Sequence, residues 1–227
     1  ILDEADGILD MGLLPAIMTI LTAQSKHRQP LQCSATFEDA IKKLAAQFMV
    51  NPAEVQCAAR NSVASTVTHR VHPVDGDRKR DLLLHILSQD SRRQTLVFSR
   101  TKHGADRLAD QIEAAGFTAA AIHGNKTQGA RTKALRDFKT GRTTILVGTD
   151  VAARGLDIDA LPCVINFDLP MVAEDYIHRI GRTGRAGSEG LALSLVAPAE
   201  AGLLRQIQRL LKQDLDMVSV EGFAPSR

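Results

Sequence analysis

The sequence predicts an α/β fold in which a mainly parallel sheet carries helices on both faces. Strand-like and helix-like segments alternate from about Thr68 to the end of the 227-residue chain, the order that βα units produce. The strand cores LVF, ILV and VIN are apolar at successive positions, as suits strands buried on both faces rather than strands with one wet side.

Residues 1–58 read as strand, helix, strand, helix, too short a stretch to close a large core alone. ILDEAD opens apolar and ends in carboxylates, and LLPAIMTILTAQ spaces its apolar residues helically. PLQCSAT is a short strand ending in small hydroxyl residues. EDAIKKLAAQFMV is an amphipathic helix that stops at the proline of NPAEV. Residues 59–67 belong to a small, polar stretch without a period and read as a linker. In 68–227, THRVHPV is a strand, RKRDLLLHILSQ a helix, QTLVFSR a strand and 102–115 a helix. FTAAAIHG is a strand and TQGARTKALRDFKTG a helix, followed by the strands TILVGTD and LPCVINFDLP. AEDYIHRIG is helical, EGLALSLVAP is a strand, and 200–213 closes as a helix.

Hydrophobic residues make up 44% and charged residues 24% of the chain, ordinary values for a globular protein. No apolar run approaches the roughly 18 residues of a membrane span, so no membrane partner is expected. The chain opens on Ile1 with strand-like residues and no charged-then-apolar leader, and it reads as part of a longer, cytoplasmic protein. Cys33, Cys57 and Cys163 form no CxxC pair, which points away from a zinc site or a disulfide framework. The histidines lack ligand spacings such as HExxH. The net charge of +2 is uneven: residues 1–59 carry −3 and the rest +5. That balance permits a polyanion partner.

In doubly wound sheets, ligands gather outside the carboxyl ends of the strands. Here LVF is followed by SRTK, AAAIHG by NKTQGAR, and ILVG by TDVAARGLD. These loops are rich in hydroxyls, glycines and charge. Two further stretches stand out. DEAD, Asp3 to Asp6, places carboxylates at a strand end, where Asp3 suits a water-mediated magnesium contact and Glu4 suits orienting or deprotonating a water. HRIGRTGR, residues 178–185, threads three arginines through two glycines.

DEAD, SAT (34–36), TDVAARGLD and HRIGRTGR, in this order, resemble the motifs of the DEAD-box ATP-dependent RNA helicases. The resemblance covers essentially the whole chain. The wording of IHGNKTQGARTKALRDFKTG and FSRTKHGAD is most similar to the bacterial RhlE-type branch. It implies a P-loop NTPase-type helicase with two RecA-like lobes, ATP and Mg2+ in the cleft and RNA across both. Residues 1–58 are then the end of lobe one and 68–227 a complete lobe two. The resemblance assigns Asp3 and Glu4 to magnesium and water. Asp6, Ser34, Thr36, Gly155 and His178 couple the ATP site to the other lobe and to RNA. Arg100, Thr101, Gly124, Gln128, Arg131, Thr149 and Asp150 lie on the RNA side. Asp157 faces the ribose and attacking water, and Arg182 and Arg185 are arginine fingers.

The chemistry agrees with that assignment. A phosphoryl group in transfer needs positive charge on its equatorial oxygens, and arginine supplies permanently charged, planar donors. Arg182 and Arg185, three apart, would share one face of a helical turn, and Gly181 and Gly184 would allow close backbone approach. RNA contacts through arginine and threonine would be to phosphates and blind to sequence. With 4% aromatic residues, no tryptophan and one tyrosine, a base-stacking platform is not expected.

The sequence contains no GxxxxGK[ST] cradle, since no glycine is followed by lysine. Gly7, Leu13 and Gly148 also depart from commoner residues of the family. The expected activity is coupling of ATP hydrolysis to RNA duplex unwinding or RNP remodelling by the whole protein, with this chain inactive alone. The expected partners are the remainder of lobe one and ribosome-assembly or RNA-decay complexes. The alternative is a non-catalytic RNA-binding or adaptor module. A DNA-directed helicase is disfavoured by DEAD and SAT together with HGNKTQGAR.

Overall fold

The computed structural model describes residues 1–10, 12–25, 27–34, 39–55, 66–90, 93–153, 158, 160–184 and 187–226. The chain divides into two compact units, Ile1–Ser62 and Val63–Arg227. Most of the expected linker lies outside the described residues, and its last residue, Val67, already opens the first strand.

In the first unit, helices α1 (Ala5–Asp10), α2 (Leu14–Ala23) and α3 (Asp39–Phe48) follow the expected order. Pro15 sits in the first turn of α2, where its missing N–H costs nothing. The two expected strands contract to a parallel bridge between Leu2 and Gln32, held by Leu2 N to Leu31 O at 2.7 Å and Cys33 N to Leu2 O at 2.8 Å. A two-stranded pairing without further neighbours among the described residues has too few ladder bonds to extend. Leu2, Ala5, Ile41 and Leu44 are buried together, with Ile8, Leu9, Leu14, Ile17 and Phe48 against them.

The second unit is built on strands β1 (Val67–Pro73), β2 (Thr95–Phe98), β3 (Ala119–Ile122), β4 (Ile145–Gly148), β5 (Cys163–Asn166), β6 (Gly190–Val196) and β7 (Asp216–Met217). They form one sheet in the order β3-β4-β2-β5-β6-β1-β7, and all the described pairings are parallel. The helices are α4 (Lys79–Gln89), α5 (Lys102–Ala114), α6 (Gln128–Lys139), α7 (Asp150–Ala153), α8 (Ala173–Ile180) and α9 (Ala201–Leu211).

Every residue of β2, β4 and β5 is buried, and alternate residues feed two cores. Val97, Val147 and Ile165 pack with Leu82, Leu83, Leu108 and Ile112 of α4 and α5. Leu96, Phe98, Leu146 and Val164 pack with Phe138 of α6 and Ala152 and Ala153 of α7. A third cluster joins Val71 and Val196 to Tyr176 and Ile180 of α8 and Leu204 and Ile207 of α9.

The register sets where function can sit. Phe98 pairs with Gly148 and Asn166, and Ile122 with Gly148, so these four strands end level. The loops that leave them emerge side by side. Two of their threonines serve the helices: Thr101 Oγ1 accepts from Gly104 N at 2.9 Å, capping α5, and Thr127 Oγ1 accepts from Ala130 N at 3.3 Å, capping α6.

Strand β1 carries two histidines in internal bonds. His69 Nδ1 lies 2.9 Å from Tyr176 Oη, and His72 Nδ1 lies 2.7 Å from Val218 O. Burial pulls both imidazoles below the ordinary value of 6.5; for His72 the Val218 carbonyl pulls upward and Arg70 downward. The unfolded chain therefore binds more protons below pH 6.5, and the second unit is expected to lose stability as the pH falls through and beneath that value. Urea midpoints measured between pH 5 and 8 should rise toward neutrality, and a His69→Gln, His72→Gln variant should flatten that slope.

Candidate functional site

The best-defined feature of the second unit is a buried arginine. Arg179 is 2% exposed. Its Nε and Nη2 meet the two carboxylate oxygens of Asp150 at 2.5 and 2.8 Å. Its Nη1 donates to Asn166 Oδ1 at 3.1 Å and to Asp168 O at 2.6 Å. The guanidinium lies 4.8 Å from the centre of the Phe98 ring. A planar fork can satisfy this set of acceptors at once, which an ammonium cannot. The network continues inward: Asn166 Nδ2 donates to Ser194 Oγ at 3.1 Å, and Ser194 also bonds to the buried Tyr176 hydroxyl, whose pKa burial raises. Helix α8 thus ties the start of α7, the exit of β5 and strand β6 into one hydrogen-bonded unit.

The first arginine of HRIGRTGR therefore has its anion inside the same unit. Helix α8 presents Tyr176, Arg179 and Ile180 to the interior, three positions at helical spacing. That spacing in AEDYIHRI was the signal that Arg179 belongs to the buried face. Both carboxylate oxygens of Asp150, a residue expected on the RNA side, are occupied by this pair.

Arg182 lies beyond the helix, which ends at Ile180 with Gly181 as its cap. Arg185, and with it the expected turn shared by Arg182 and Arg185, lies outside the described residues; Gly184, the last described residue before it, takes φ +67°. Gly181, at φ −62°, occupies ordinary helical space. The segment after α8 is fixed instead by its neighbours. Leu161 N donates to Arg182 O at 2.9 Å, Thr183 Oγ1 donates to Leu161 O, and Thr66 Oγ1 donates to Gly184 O at 2.7 Å. A Cβ on Gly184 would collide with Val67, and one on Gly190 with Thr183 Oγ1 and the Gly184 amide. Gly190→Ala is expected to destabilise the unit by about 2 kcal/mol, as overpacking against backbone does, read as a lower urea midpoint.

His178 and Arg182 line a small crevice with Asp150, Ala153 and Asp175, beside Phe98. The other described residues expected in this unit lie in the loops and helix starts that follow the level strand ends. Arg100 and Thr101 leave β2, Gly124 leaves β3, and Thr149 leaves β4. Gln128 opens α6 and receives a long bond from Arg131 Nη1, at 3.4 Å. Arg131 Nε is buried without a hydrogen-bond partner among the described residues. Near them Asp106 sits between Lys126 Nζ, at 2.8 Å, and the buried His123 Nε2, at 2.9 Å. Burial raises the Asp106 pKa, but Lys126 and His123 outweigh it and hold the carboxyl below the usual range.

In the first unit Asp3 and Glu4 are exposed at the end of the Leu2 bridge, and Asp6 lies in the first turn of α1. Glu4 N donates to Asp3 Oδ1 at 2.9 Å, and Glu4 adopts φ +49°, a backbone region uncommon outside glycine. Ser34 Oγ is buried without a partner among the described residues. Thr36, Gly155, Asp157 and Arg185 lie outside the described residues. No group of three or more His, Cys, Asp or Glu side chains gathers as a metal cluster among the described residues.

Residues 78–187 match the family described as helicase conserved C-terminal domain. The Escherichia coli DEAD-box protein SrmB, in a structure bound to regulator of ribonuclease activity A, is 34% identical to this chain. The match covers 71% of this chain and 98% of that one, with a TM-score of 0.62. This chain belongs to the DEAD-box protein family. It contains the C-terminal helicase lobe of a DEAD-box protein, preceded by residues that include the DEAD sequence itself. The DEAD-box ATP-dependent RNA helicase CshA of Bacillus licheniformis is 43% identical over 95% of the chain. The match takes in 44% of that relative, so the chain spans less than half the length of such curated DEAD-box relatives. The Saccharomyces cerevisiae DEAD-box protein Dbp5, in a structure with RNA and ADP BeF3, is 31% identical. It superposes with a TM-score of 0.85 over 96% of this chain and 59% of its own.

Proposed function

We propose that this chain is the second lobe, with the end of the first, of a bacterial cytoplasmic DEAD-box enzyme of the RhlE-type branch. The enzyme couples ATP hydrolysis to RNA duplex unwinding or RNP remodelling. The observation that carries this reading is the Arg179 anchor. It fixes the loop of Thr149 and Asp150 and the start of the Arg182 segment in one rigid unit, so a phosphate sensor and a strand-end loop move together.

On this reading Arg100, Thr101, Gly124, Gln128, Arg131 and Thr149 meet RNA phosphates, with Asp150 contributing through its main chain. Binding of this kind is sequence-independent and weakens with salt. Arg182 and Arg185 reach a phosphate held by the other lobe, Asp157 faces ribose and water, and Ser34, Thr36, Asp6, Gly155 and His178 connect the lobes. ATP would be held largely outside this chain, for which the absent GxxxxGK[ST] cradle speaks. Asp3 offers a hard oxygen donor suited to Mg2+ through water: its Oδ2 has no partner among the described residues. Magnesium, when bound, would neutralise phosphate charge; Glu4 would orient or deprotonate the attacking water. Related DEAD-box proteins have been captured with protein partners, such as SrmB with regulator of ribonuclease activity A, and this lobe is open to partners of that general kind.

The test is ATP turnover by the longer protein that contains this sequence, with and without single-stranded RNA, alongside displacement of a short RNA duplex. RNA-stimulated turnover with ATP-dependent displacement supports the reading. Tight RNA binding with no turnover in either condition supports the non-catalytic module instead.

A further inference from the structure

A second buried charge network lies at the exit of β2 and, like Arg179, bonds to the residues that follow β5; the proposed chemistry leaves it unexplained. Its centre is Glu200, 7% exposed, in the turn Pro198–Glu200 that precedes α9. Glu200 Oε2 meets Lys79 Nζ at 2.5 Å and accepts from Ala197 N at 3.0 Å. Oε1 accepts from Leu169 N at 3.3 Å and from Arg100 Nη2 at 3.1 Å. Lys79 is itself 3% exposed and donates also to Phe167 O at 2.7 Å. Arg100 N is held by Asp168 Oδ2 at 2.9 Å.

The asymmetry between the partners is informative. Lys79 and Glu200 are buried and fully engaged, whereas the Arg100 side chain is 44% exposed. Only its Nη2 is used; Nε and Nη1 have no partner among the described residues. A carboxylate already neutralised by a buried lysine holds one corner of the guanidinium. The two remaining donor positions are left at the level strand end, beside the Thr101 cap. A side chain that carries much rotamer freedom is thereby fixed before any ligand arrives, which lowers the ordering cost of binding.

We infer that Glu200 is a positioning residue for nucleic-acid binding, acting through Arg100. It aims the open donors of Arg100 at one backbone phosphate, while buried Lys79, 2.5 Å from Glu200 and 3.9 Å from Asp168, offsets part of the carboxylate charge around that arginine. This rests on the reading of the strand-end loops as an RNA surface.

The experiment is fluorescence anisotropy of a labelled oligouridylate with the 227-residue chain over a salt series. It compares Arg100→Ala, Glu200→Gln, the double variant and Arg100→Lys, with far-UV circular dichroism on each. Arg100→Ala is expected to weaken binding roughly tenfold, the size of one charge-assisted contact. It should also flatten the log K against log salt slope by about 0.7, the value for one phosphate of a single strand. Glu200→Gln is expected to weaken binding in the same direction, and the double variant to lose no more than Arg100→Ala alone. Arg100→Lys keeps the charge without the fork and should recover the salt slope but not the affinity; it also serves if Glu200→Gln fails to fold. Additive losses in the double variant, or wild-type affinity in Arg100→Lys, would overturn the role of Glu200. If the unsubstituted chain does not bind at low salt, or Arg100→Ala binds as well as it does, the RNA surface itself is misplaced and the inference goes with it.

Discussion

Replacing Arg182 by alanine in the longer protein that contains this chain is expected to lower RNA-stimulated ATP hydrolysis by about 10³-fold or more, the effect of removing an arginine finger. The structure supplies the reason for singling out this residue. Arg182 stands just past the end of α8, its main chain bonded to Leu161, its side chain sharing a crevice with His178 and Asp175. A finger is useful only when its base does not move, and here the base is set by Gly184 and Gly190, which pack against Val67 and Thr183 without room for a Cβ. Arg182→Lys should recover little, because one ammonium cannot span two phosphate oxygens in the plane that a guanidinium offers. The rate should fall at saturating RNA, with RNA affinity in the absence of nucleotide nearly unchanged. A loss confined to RNA affinity would move Arg182 from the phosphate to the nucleic acid.

Arg179→Met is expected to destabilise the second unit by about 3 kcal/mol, the lower part of the range for breaking a buried ion pair by removing one partner. Arg179 is buried while Asp150 is 28% exposed, so the stranded carboxylate can recover some hydration. Asn166 Oδ1 and Asp168 O lose their donor in the same substitution. Arg179→Lys should lie between the two, since a single nitrogen cannot serve Asp150, Asn166 and Asp168 together. Urea unfolding followed by circular dichroism measures both. The nearby Arg182→Ala change leaves the Arg179 bonds to Asp150, Asn166 and Asp168 in place and should shift the midpoint less, a contrast that distinguishes the two arginines of one short motif.

The long apolar strands were legible because burial on both faces leaves an uninterrupted signal: LVF, ILV and VIN became β2, β4 and β5 at the expected places. The two-residue β7 carried no such signal. Asp216 and Met217 are both exposed, and the strand exists only because Arg70 and Val71 offer it an edge. In the first unit, ILDEAD and PLQCSAT read as strands but reach only a bridge among the described residues, since a strand pattern needs neighbours to pair with. The site divides in the same way. The loops and helix starts that hold Arg100, Arg131 and Thr149 could be marked out because they follow apolar strands, and Arg182 by its glycine-flanked basic run; the individual roles rest on the resemblance. The inward role of Arg179 was hidden because a charged residue in a basic, glycine-rich run reads as surface, although Tyr176 and Ile180 mark its face as apolar. Glu200 was hidden because its partners, Lys79 and Arg100, are 121 and 100 residues away, a separation no local pattern records.

The most direct test of the central claim, that this chain brings a phosphate-directed arginine to a nucleotide held largely outside it, is ATP turnover by the 227-residue chain alone, with and without single-stranded RNA and with the Arg182→Ala variant beside it. No turnover above background is expected in any of these conditions, even where RNA is bound. RNA-stimulated turnover that disappears in Arg182→Ala would contradict it, because the chain would then hold the nucleotide itself.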